Sequence, residues 1–390
     1  MNIKKESSLK KALNFWEGRK GFCAYAYGAL LVLLVLYTLL FSGFTNWTPA
    51  ALSHTASIGR WVQIAWYALV VVCVLLEMLN CWQRALLAAI LLALRWRAPI
   101  TFQSGMVLDT VLMAALSDLG TEQSNRNSFL ISHGAYLLLL AAMLLVGAVG
   151  DATTTSNKTV IVFRLGHSLG MLHPNSLAAF LMSAWLLAWI TLKPKKLWIT
   201  AALFAVGAVI VLALTLCRTV ALLMILFPVL YAAILGIGRS RRPAWLKASA
   251  ALPLLALCLT ILLGVMTSRF SQYFRDGAFW LRFSELRILQ KDGLTLFGAR
   301  PSELAYFDNV YLWMLMYCGV VTTLGVLAMA GVMLLKLACE KRMELLSVGA
   351  LFVLYGLMEN TAIYLVYCFI PILTFAAGKR DHKQNHAVIL

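Results

Sequence analysis

The chain has few charged residues for its length. Only 13% of its 390 residues are charged and 62% are hydrophobic, whereas an average soluble domain has about 25% charged and about 45–50% apolar residues. The mean hydropathy of +0.83 excludes a soluble globular enzyme, a secreted disulfide-rich domain and a disordered chain. The apolar runs are continuous rather than alternating, which excludes a β-barrel.

The sequence also lacks the patterns of metal and disulfide sites. None of its eight cysteines forms a CxxC pair, and most lie inside apolar runs, as small buried side chains do. It contains no HExxH, no DxD and no carboxylate cluster beside its histidines. The first apolar run begins near Phe22 and no small-residue cleavage site follows it, so we expect no cleaved signal peptide. Neither a metal nor a cofactor is predicted.

Long apolar runs predict the architecture. A helix needs about 20 apolar residues to cross roughly 30 Å of hydrocarbon. We predict a single all-α, polytopic integral membrane domain over residues 1–390, with ten to twelve transmembrane helices. The third and fourth segments are short, and Arg95, Arg97 and Asp109 crowd their junction, so one re-entrant hairpin there would reduce the count to ten. The segments are 22–42, 61–81, 84–95, 105–119, 128–149, 174–192, 197–214, 218–236, 248–266, 309–335, 345–358 and 360–377.

The net charge of +17 is spread in a way that predicts orientation. The lysines form short clusters between apolar runs, which is the positive-inside pattern and not a basic domain for nucleic acid. With the N-terminal tail inside, only Lys158 and Lys291 fall in outer segments. We therefore expect both tails, 1–21 and 378–390, in the cytoplasm. Three polar stretches then lie outside, at about 43–60, 150–173 and 267–308.

The stretch 267–308, between the ninth and tenth helices, is the longest of the three. Connections of this length that lack secondary structure are usually functional. Trp280, Phe283 and Leu286 recur at helical spacing, which predicts an amphipathic helix on the outer interface. The loop is also rich in arginine, with Arg269, Arg275, Arg282, Arg287 and Arg300.

Arginine on the outer side opposes the positive-inside bias. Its planar guanidinium binds phosphate oxygens at two points and stays charged, so the set predicts an anionic ligand. Pairing with the loop's own carboxylates and with lipid phosphates is the alternative. Arg218 starts a membrane helix directly after an apolar one, and arginine at that position suggests a functional site, with snorkelling to headgroups as its alternative.

Two helix starts carry polar side chains on the same side. Pro174 suits the first turn of a helix, so His173 and Asn175 flank a turn whose N–H groups can bind an anion. His173 is otherwise an interfacial capping residue, and His167 a loop residue. Asp308 begins the tenth helix, where it is either an ordinary N-cap or a general base. Glu359 is a candidate turn residue, and Glu77, deep in the second helix, gives no proton path on its own.

Four motifs follow one another in the outer half of the chain. They are His-Pro-Asn at 173–175, Cys-Arg-Thr at 217–219, the segment from Arg282 to Leu-Phe-Gly at 296–298, and Asp-Asn-Val-Tyr-Leu at 308–312 with a glycine at 319. In this order they resemble the bacterial O-antigen polymerase and O-antigen ligase superfamily, of the Wzy and WaaL type. The closest likeness is to the polymerases of capsule and exopolysaccharide clusters.

The resemblance implies a glycosyltransferase of the bacterial cytoplasmic membrane that needs no metal or cofactor. Donor and acceptor would be oligosaccharides linked to polyprenyl diphosphate, and a flippase and a chain-length regulator of the same pathway would be partners. By motif position, Arg218 and Arg282 would bind the diphosphate, and Asp308 or His173 would be the catalytic base. Further substrate-binding candidates are Asn175, Asn309, Tyr311, Arg269, Arg275 and Arg287.

Two other functions stay open at this stage. Ligases of the superfamily commonly have histidine where this chain has Asp308, which favours a polymerase over a ligase that transfers glycan to another acceptor. A transporter or flippase of lipid-linked sugars would carry charges along a cavity through many helices. Here the charges concentrate on one face, which favours chemistry on that face.

Overall fold

A computed structural model of the chain describes residues 3–41, 45–97, 102–151, 153–155, 165–171, 173–239, 244–269, 283, 285–298, 308–359 and 368–376. This part is almost entirely helical, with two three-residue antiparallel strands, β1 (Thr153–Thr155) and β2 (Leu165–His167). The helices are α1 (Ile3–Phe41), α2 (Pro49–Met78), α3 (Trp82–Arg97), α4 (Phe102–Ala115), α5 (Glu122–Leu145), α6 (Pro174–Leu192), α7 (Leu197–Thr215), α8 (Arg218–Arg239), α9 (Ala244–Lys247), α10 (Leu252–Arg269), α11 (Leu286–Asp292), α12 (Val310–Tyr317), α13 (Gly319–Cys339), α14 (Met343–Gly356) and α15 (Ile370–Phe375).

Eight helices of the described part are long and apolar enough to cross a membrane. Large apolar side chains are exposed in the middle of several of them, with Leu138 75%, Val209 67% and Val229 65% exposed. Such surfaces suit lipid and not water. The expectation of a helical, multi-pass membrane protein is confirmed at this level. The spans are Lys20–Phe41, Pro49–Met78, Glu122–Leu145, Pro174–Leu192, Leu197–Thr215, Arg218–Arg239, Ala244–Thr267 and Gly319–Cys339.

The third and fourth predicted segments form a hairpin. α3 has 16 residues and α4 has 14, which is too short for a full crossing, and the two pack side by side. Arg95 Nε donates to Asp109 Oδ1 at 3.1 Å, and Gly105 lies directly against the same guanidinium. The ion pair joins the two helices and is mostly buried. Two short helices that pack as a hairpin are what the re-entrant alternative requires, and the total number of crossings stays a prediction.

Helix order assigns the loops to two ends of the bundle. α6 and α7 are joined by a short turn at residues 193–196, so the start of α6 and the end of α7 lie at the opposite end. We call the end with Asn46, Asp151, His173 and Arg218 the loop face. The other end, with the turn at 193–196, we call the lysine face.

Glu77 lies at the lysine face and not in the middle of a helix. It is the next-to-last residue of α2 and is fully buried. Arg84 and Asp118 are its electrostatic neighbours and form an ion pair with each other. A second ion pair at this end joins Arg342 to Glu122 at 2.8 Å. Carboxylates near this face therefore have arginine partners or neighbours, which explains how they are tolerated beside the bundle.

The segment 309–335 was expected to form one helix, and this is wrong. It breaks at Cys318 into α12 and α13. Val310 and Met314 of α12 line one apolar cleft together with Leu327 and Ala330 of α13. In one straight helix Met314 and Leu327 would lie about 20 Å apart along the axis, so α12 folds back beside α13.

Two glycines make this reversal possible. Gly298 (φ +89°) and Gly319 (φ +80°) lie where two backbone segments meet, because a Cβ on Gly298 would lie 2.2 Å from the Tyr317 carbonyl oxygen and a Cβ on Gly319 2.3 Å from Gly298 N. Positive φ is accessible to glycine without steric cost. Val320 N then donates to the Thr295 carbonyl at 2.9 Å, and Val321 N to the Leu296 carbonyl at 3.1 Å. The Leu-Phe-Gly element and the downstream glycine are thus one structural unit.

Candidate functional site

The loop face is built from three segments that are distant in sequence. Asn46 N donates to the Gly170 carbonyl at 2.8 Å, and Gly150 N donates to the Asn46 carbonyl at 2.8 Å. Asn46 Nδ2 also donates to the Gly150 carbonyl at 2.9 Å. Isolated β-bridges pair Thr45 with Met171 and Trp47 with Val149. The first two predicted outer stretches therefore form one joined surface.

Asp151 organises the middle of this surface, and the sequence reasoning missed it. One carboxylate oxygen accepts from the backbone N of Ser168 at 2.8 Å and of Leu169 at 2.9 Å. The other lies 2.5 Å from Nδ1 of His167. Partial burial raises the pKa of Asp151, but the hydrogen bonds from His167, Leu169 and Ser168 outweigh it, so the net pKa is lowered. The carboxylate is ionised at neutral pH. Its partners are 16 to 18 residues away, so no local motif marks it.

His173 begins α6 as its N-cap, as expected from the proline that follows it. Pro174 occupies the first turn, and the backbone N of Asn175 donates to His173 Nδ1 at 3.0 Å. Partial burial lowers the pKa of His173, and the nearby Asp308 carboxylate opposes this shift. The structure thus brings His173 and Asp308 close enough to interact electrostatically. Asn175 is half-buried, and no hydrogen bond of its side chain occurs within the described ranges.

The cap of α12 is Asn309 and not Asp308. Asn309 Oδ1 accepts from the backbone N of Tyr311 at 2.9 Å and of Leu312 at 3.2 Å. Its Nδ2 donates to the Leu357 carbonyl at 2.9 Å and to Thr260 Oγ1 at 3.3 Å. Asn309 is fully buried. The amide oxygen therefore caps α12, and the amide nitrogen joins α12 to α10 and to the residue that follows α14, which is a structural role.

Tyr311 has a similar role two residues further on. It is 3% exposed, and its hydroxyl donates to the Val353 carbonyl at 2.8 Å. Together with Asn309 it attaches the short helix α12 to α14. Asp308, which is partly exposed and directly precedes the cap, is therefore held at a defined place on the surface.

Arg218 follows a sharp turn at the loop face. Leu216 has a left-handed backbone (φ +55°), and Cys217 N donates to Thr215 Oγ1 at 3.2 Å. Arg218 itself is exposed at the start of α8. Among the residues that the structure describes, its guanidinium has no hydrogen-bond or ion-pair partner. A cation held at a helix start without a protein partner is available to an anion.

Helix pairing places Arg218 at the same end of the bundle as Asn309. α8 and α14 pack closely and run in opposite directions, with Gly238 against Met343. From that contact α8 rises about 30 Å to Arg218, and α14 rises about 20 Å to Leu357. Glu359, two residues further on, is 5% exposed. We call His167, Asp151, His173, Arg218 and Asp308 the loop-face cluster.

The arginine-rich stretch is described only in part. α11 packs on α10 through Phe283, Leu286 and Leu289, which are all buried, and Gly264 of α10 lets Leu286 approach closely. Phe283 and Leu286 of the expected apolar stripe are thus buried, while Trp280 lies outside the described residues, so the interfacial helix stays a prediction. Arg269, at the end of α10, and Arg287, in α11, are both exposed. The candidates Arg275 and Arg282, as well as Arg300, lie outside the described residues.

Within the described ranges, no three histidine, cysteine or carboxylate side chains come together as a metal-binding group. The chemistry that this part of the loop face offers is a free guanidinium, a carboxylate beside a capping histidine, and a hydrogen-bonded carboxylate–histidine pair. No protein family model, no curated protein and no solved structure matches the chain.

Proposed function

We propose that this protein is a polysaccharide polymerase of the bacterial cytoplasmic membrane. It would join oligosaccharide repeat units linked to polyprenyl diphosphate, with the loop face on the outside of the cell. The observation that carries the proposal is the loop-face cluster. A guanidinium with no partner among the described residues, a carboxylate and two histidines lie at one end of a bundle whose sides are apolar.

The chemistry of such a transfer suits these groups. An acceptor hydroxyl attacks the anomeric carbon of the donor sugar, and the bond from that carbon to the diphosphate oxygen breaks. Negative charge then builds on the leaving diphosphate, so a fixed guanidinium stabilises the transition state more than the ground state. We assign this role to Arg218 and, from the motif that it resembles, to Arg282. Arg269, Arg275 and Arg287 would extend the same positive surface.

His173 and Asp308 take different parts in the proposal. A backbone N–H can only donate, so His173 Nδ1 must be unprotonated where it accepts from Asn175 N. The neutral ring then carries its proton on Nε2, which makes it a donor toward a phosphate oxygen rather than a base. Of His173 and Asp308, Asp308 stays the first candidate for the base. Asn175 lies in the turn that would contact the phosphate.

Orientation is the premise of this proposal and is tested first. Single cysteines would be introduced into a chain without reactive cysteines and labelled with an impermeant thiol reagent. A cysteine replacing Ser284 should react in intact spheroplasts, and a cysteine replacing Lys195 should react only after permeabilisation. The reverse pattern would place the loop face in the cytoplasm and refute the proposal.

Activity is tested in proteoliposomes supplied with polyprenyl-diphosphate-linked repeat units from cells that carry this gene. A gel that resolves chain length should show a ladder of polymers. One glycan block transferred to a different acceptor would instead indicate a ligase. Substrate that is relocated but not extended would indicate a flippase. Either of those two results would refute polymerase activity.

A further inference from the structure

His167 and His173 differ in which ring nitrogen can accept a proton. His173 Nδ1 accepts a backbone N–H, so its basic lone pair is already used. His167 has the opposite arrangement, because its Nδ1 lies 2.5 Å from an Asp151 oxygen. An ionised carboxylate only accepts hydrogen bonds, so Nδ1 of His167 carries the proton and Nε2 is left with the lone pair.

We propose that His167 is the general base for the acceptor hydroxyl and that Asp151 is its positioning residue. This rests on the proposed function. A base whose second nitrogen is held by a carboxylate has a fixed ring orientation and a fixed tautomer, which is the arrangement that activates hydroxyl nucleophiles in several unrelated enzymes. The His167 side chain is 42% exposed, so a glycan can reach it.

Its place in the fold agrees with this role. β2, which ends at His167, packs against α7. Since β2 precedes the start of α6, and α6 and α7 form a hairpin, the contact lies at the end of α7 that leads into Arg218. His167 is therefore at the same end as the proposed diphosphate ligand. The turn that follows it, closed by Met171 N donating to the Ser168 carbonyl at 3.0 Å, connects it to His173.

The proposed step balances without a metal or a redox partner. The acceptor O–H proton passes to His167 Nε2 as the oxygen forms its bond to the anomeric carbon. The electron pair of the breaking bond leaves with the diphosphate. His167 then releases the proton to water on the exposed side. Asp151 stays ionised throughout and stabilises the imidazolium. Asp308 is then a group that binds acceptor hydroxyls.

Asp151 also holds the turn at Ser168 and Leu169, so a purely structural role must be distinguished from a positioning one. The test uses the full chain in proteoliposomes with lipid-linked repeat units. His167→Gly should lower the rate at saturating substrate about 10²-fold or more, with KM little changed. Added imidazole should restore part of the rate, because it fills the space with a base. Asp151→Asn should lower the rate of the intact His167 protein to a similar extent.

His54→Gln is the matched control. His54 is exposed in α2 near the loop face, with no hydrogen bond in the described part of the chain, and its loss should leave the rate at the parental value. Parental rates in His167→Gly and Asp151→Asn would overturn the base assignment. Loss in His167→Gly without imidazole rescue would also overturn it, since that result indicates a structural residue. If the wild-type chain extends no glycan, the proposed function fails, and the base role fails with it.

Discussion

Asn309 and Asn175 both lie at helix starts of the loop face and both were substrate-binding candidates, yet we expect replacement of Asn309 to destabilise the protein and replacement of Asn175 to leave its stability almost unchanged. Asn309→Ala removes an amide that makes four hydrogen bonds from a fully buried position. Asn175→Ala removes a half-buried amide, and the cap of α6 uses the backbone N of that residue and not its side chain.

The cost of Asn309→Ala follows from its contacts. Losing an N-cap side chain costs about 1 kcal/mol. The bonds from Nδ2 to Leu357 and Thr260 add about 1 kcal/mol each, because their buried acceptors keep no replacement. The sum is about 3 kcal/mol, which lowers the folded-to-unfolded ratio roughly 100-fold. Asn175→Ala should stay within about 0.5 kcal/mol of the parent.

Buried thiols provide the assay. In detergent micelles a thiol-reactive dye reports unfolding as these side chains become accessible, and a denaturant series of such melts gives the change in free energy of unfolding. A loss below about 1 kcal/mol in Asn309→Ala would refute the bridging role. A loss in Asn175→Ala as large as the one expected for Asn309→Ala would show that the amide in α6 is structural as well. The buried cysteines are Cys23, Cys73, Cys217, Cys318 and Cys368.

Three further predictions concern activity and assembly. Arg218→Lys keeps the charge but loses the two-point contact, so the rate of chain extension should fall through a loss of about 2.7–4 kcal/mol of transition-state stabilisation. Arg239→Ala at the lysine face is the control and should extend chains normally. Parental polymer length in Arg218→Lys would discard the diphosphate role. Asp308→Asn should reduce chain extension more than His173→Gln, because the basic nitrogen of His173 is used by its cap, and the reverse order in the same assay would contradict this. Gly298→Ala places a methyl group 2.2 Å from a backbone oxygen at a backbone angle that favours glycine. The amount of the variant protein in isolated membranes should therefore fall sharply. A parental amount would show that the close backbone approach at Gly298 is dispensable.

Local sequence signals predicted the parts of the fold that depend on local chemistry. Apolar length identified the eight described spans, and Arg95 with Asp109 marked the segments that form the α3–α4 hairpin. Pro174 marked the start of α6. The break at Cys318 was not predictable in this way. Every residue from Val310 to Met316 is buried, so the segment is apolar on all sides and has no periodicity to show where a helix ends.

The site shows the same limit. Asp308 and Asn309 are both good N-cap residues, and only Leu357 and Thr260, which are 48 and 49 residues away, decide between them. Asp151 is a single acidic residue in a polar stretch, and its importance depends on a turn 16 to 18 residues later. The histidines could be found from the sequence, but the nitrogen that each leaves available depends on these tertiary contacts.

The ion pair inside the α3–α4 hairpin has a consequence for how the chain enters the bilayer. A helix of 14 or 16 residues is too short to cross the hydrocarbon by itself, and an unpaired charge at Arg95 or Asp109 would add to the cost of insertion. With Arg95 bonded to Asp109, the two helices bring no net charge from this pair into the hydrocarbon. We therefore expect the two helices to enter the membrane together as one hairpin, in which Arg95 and Asp109 neutralise each other.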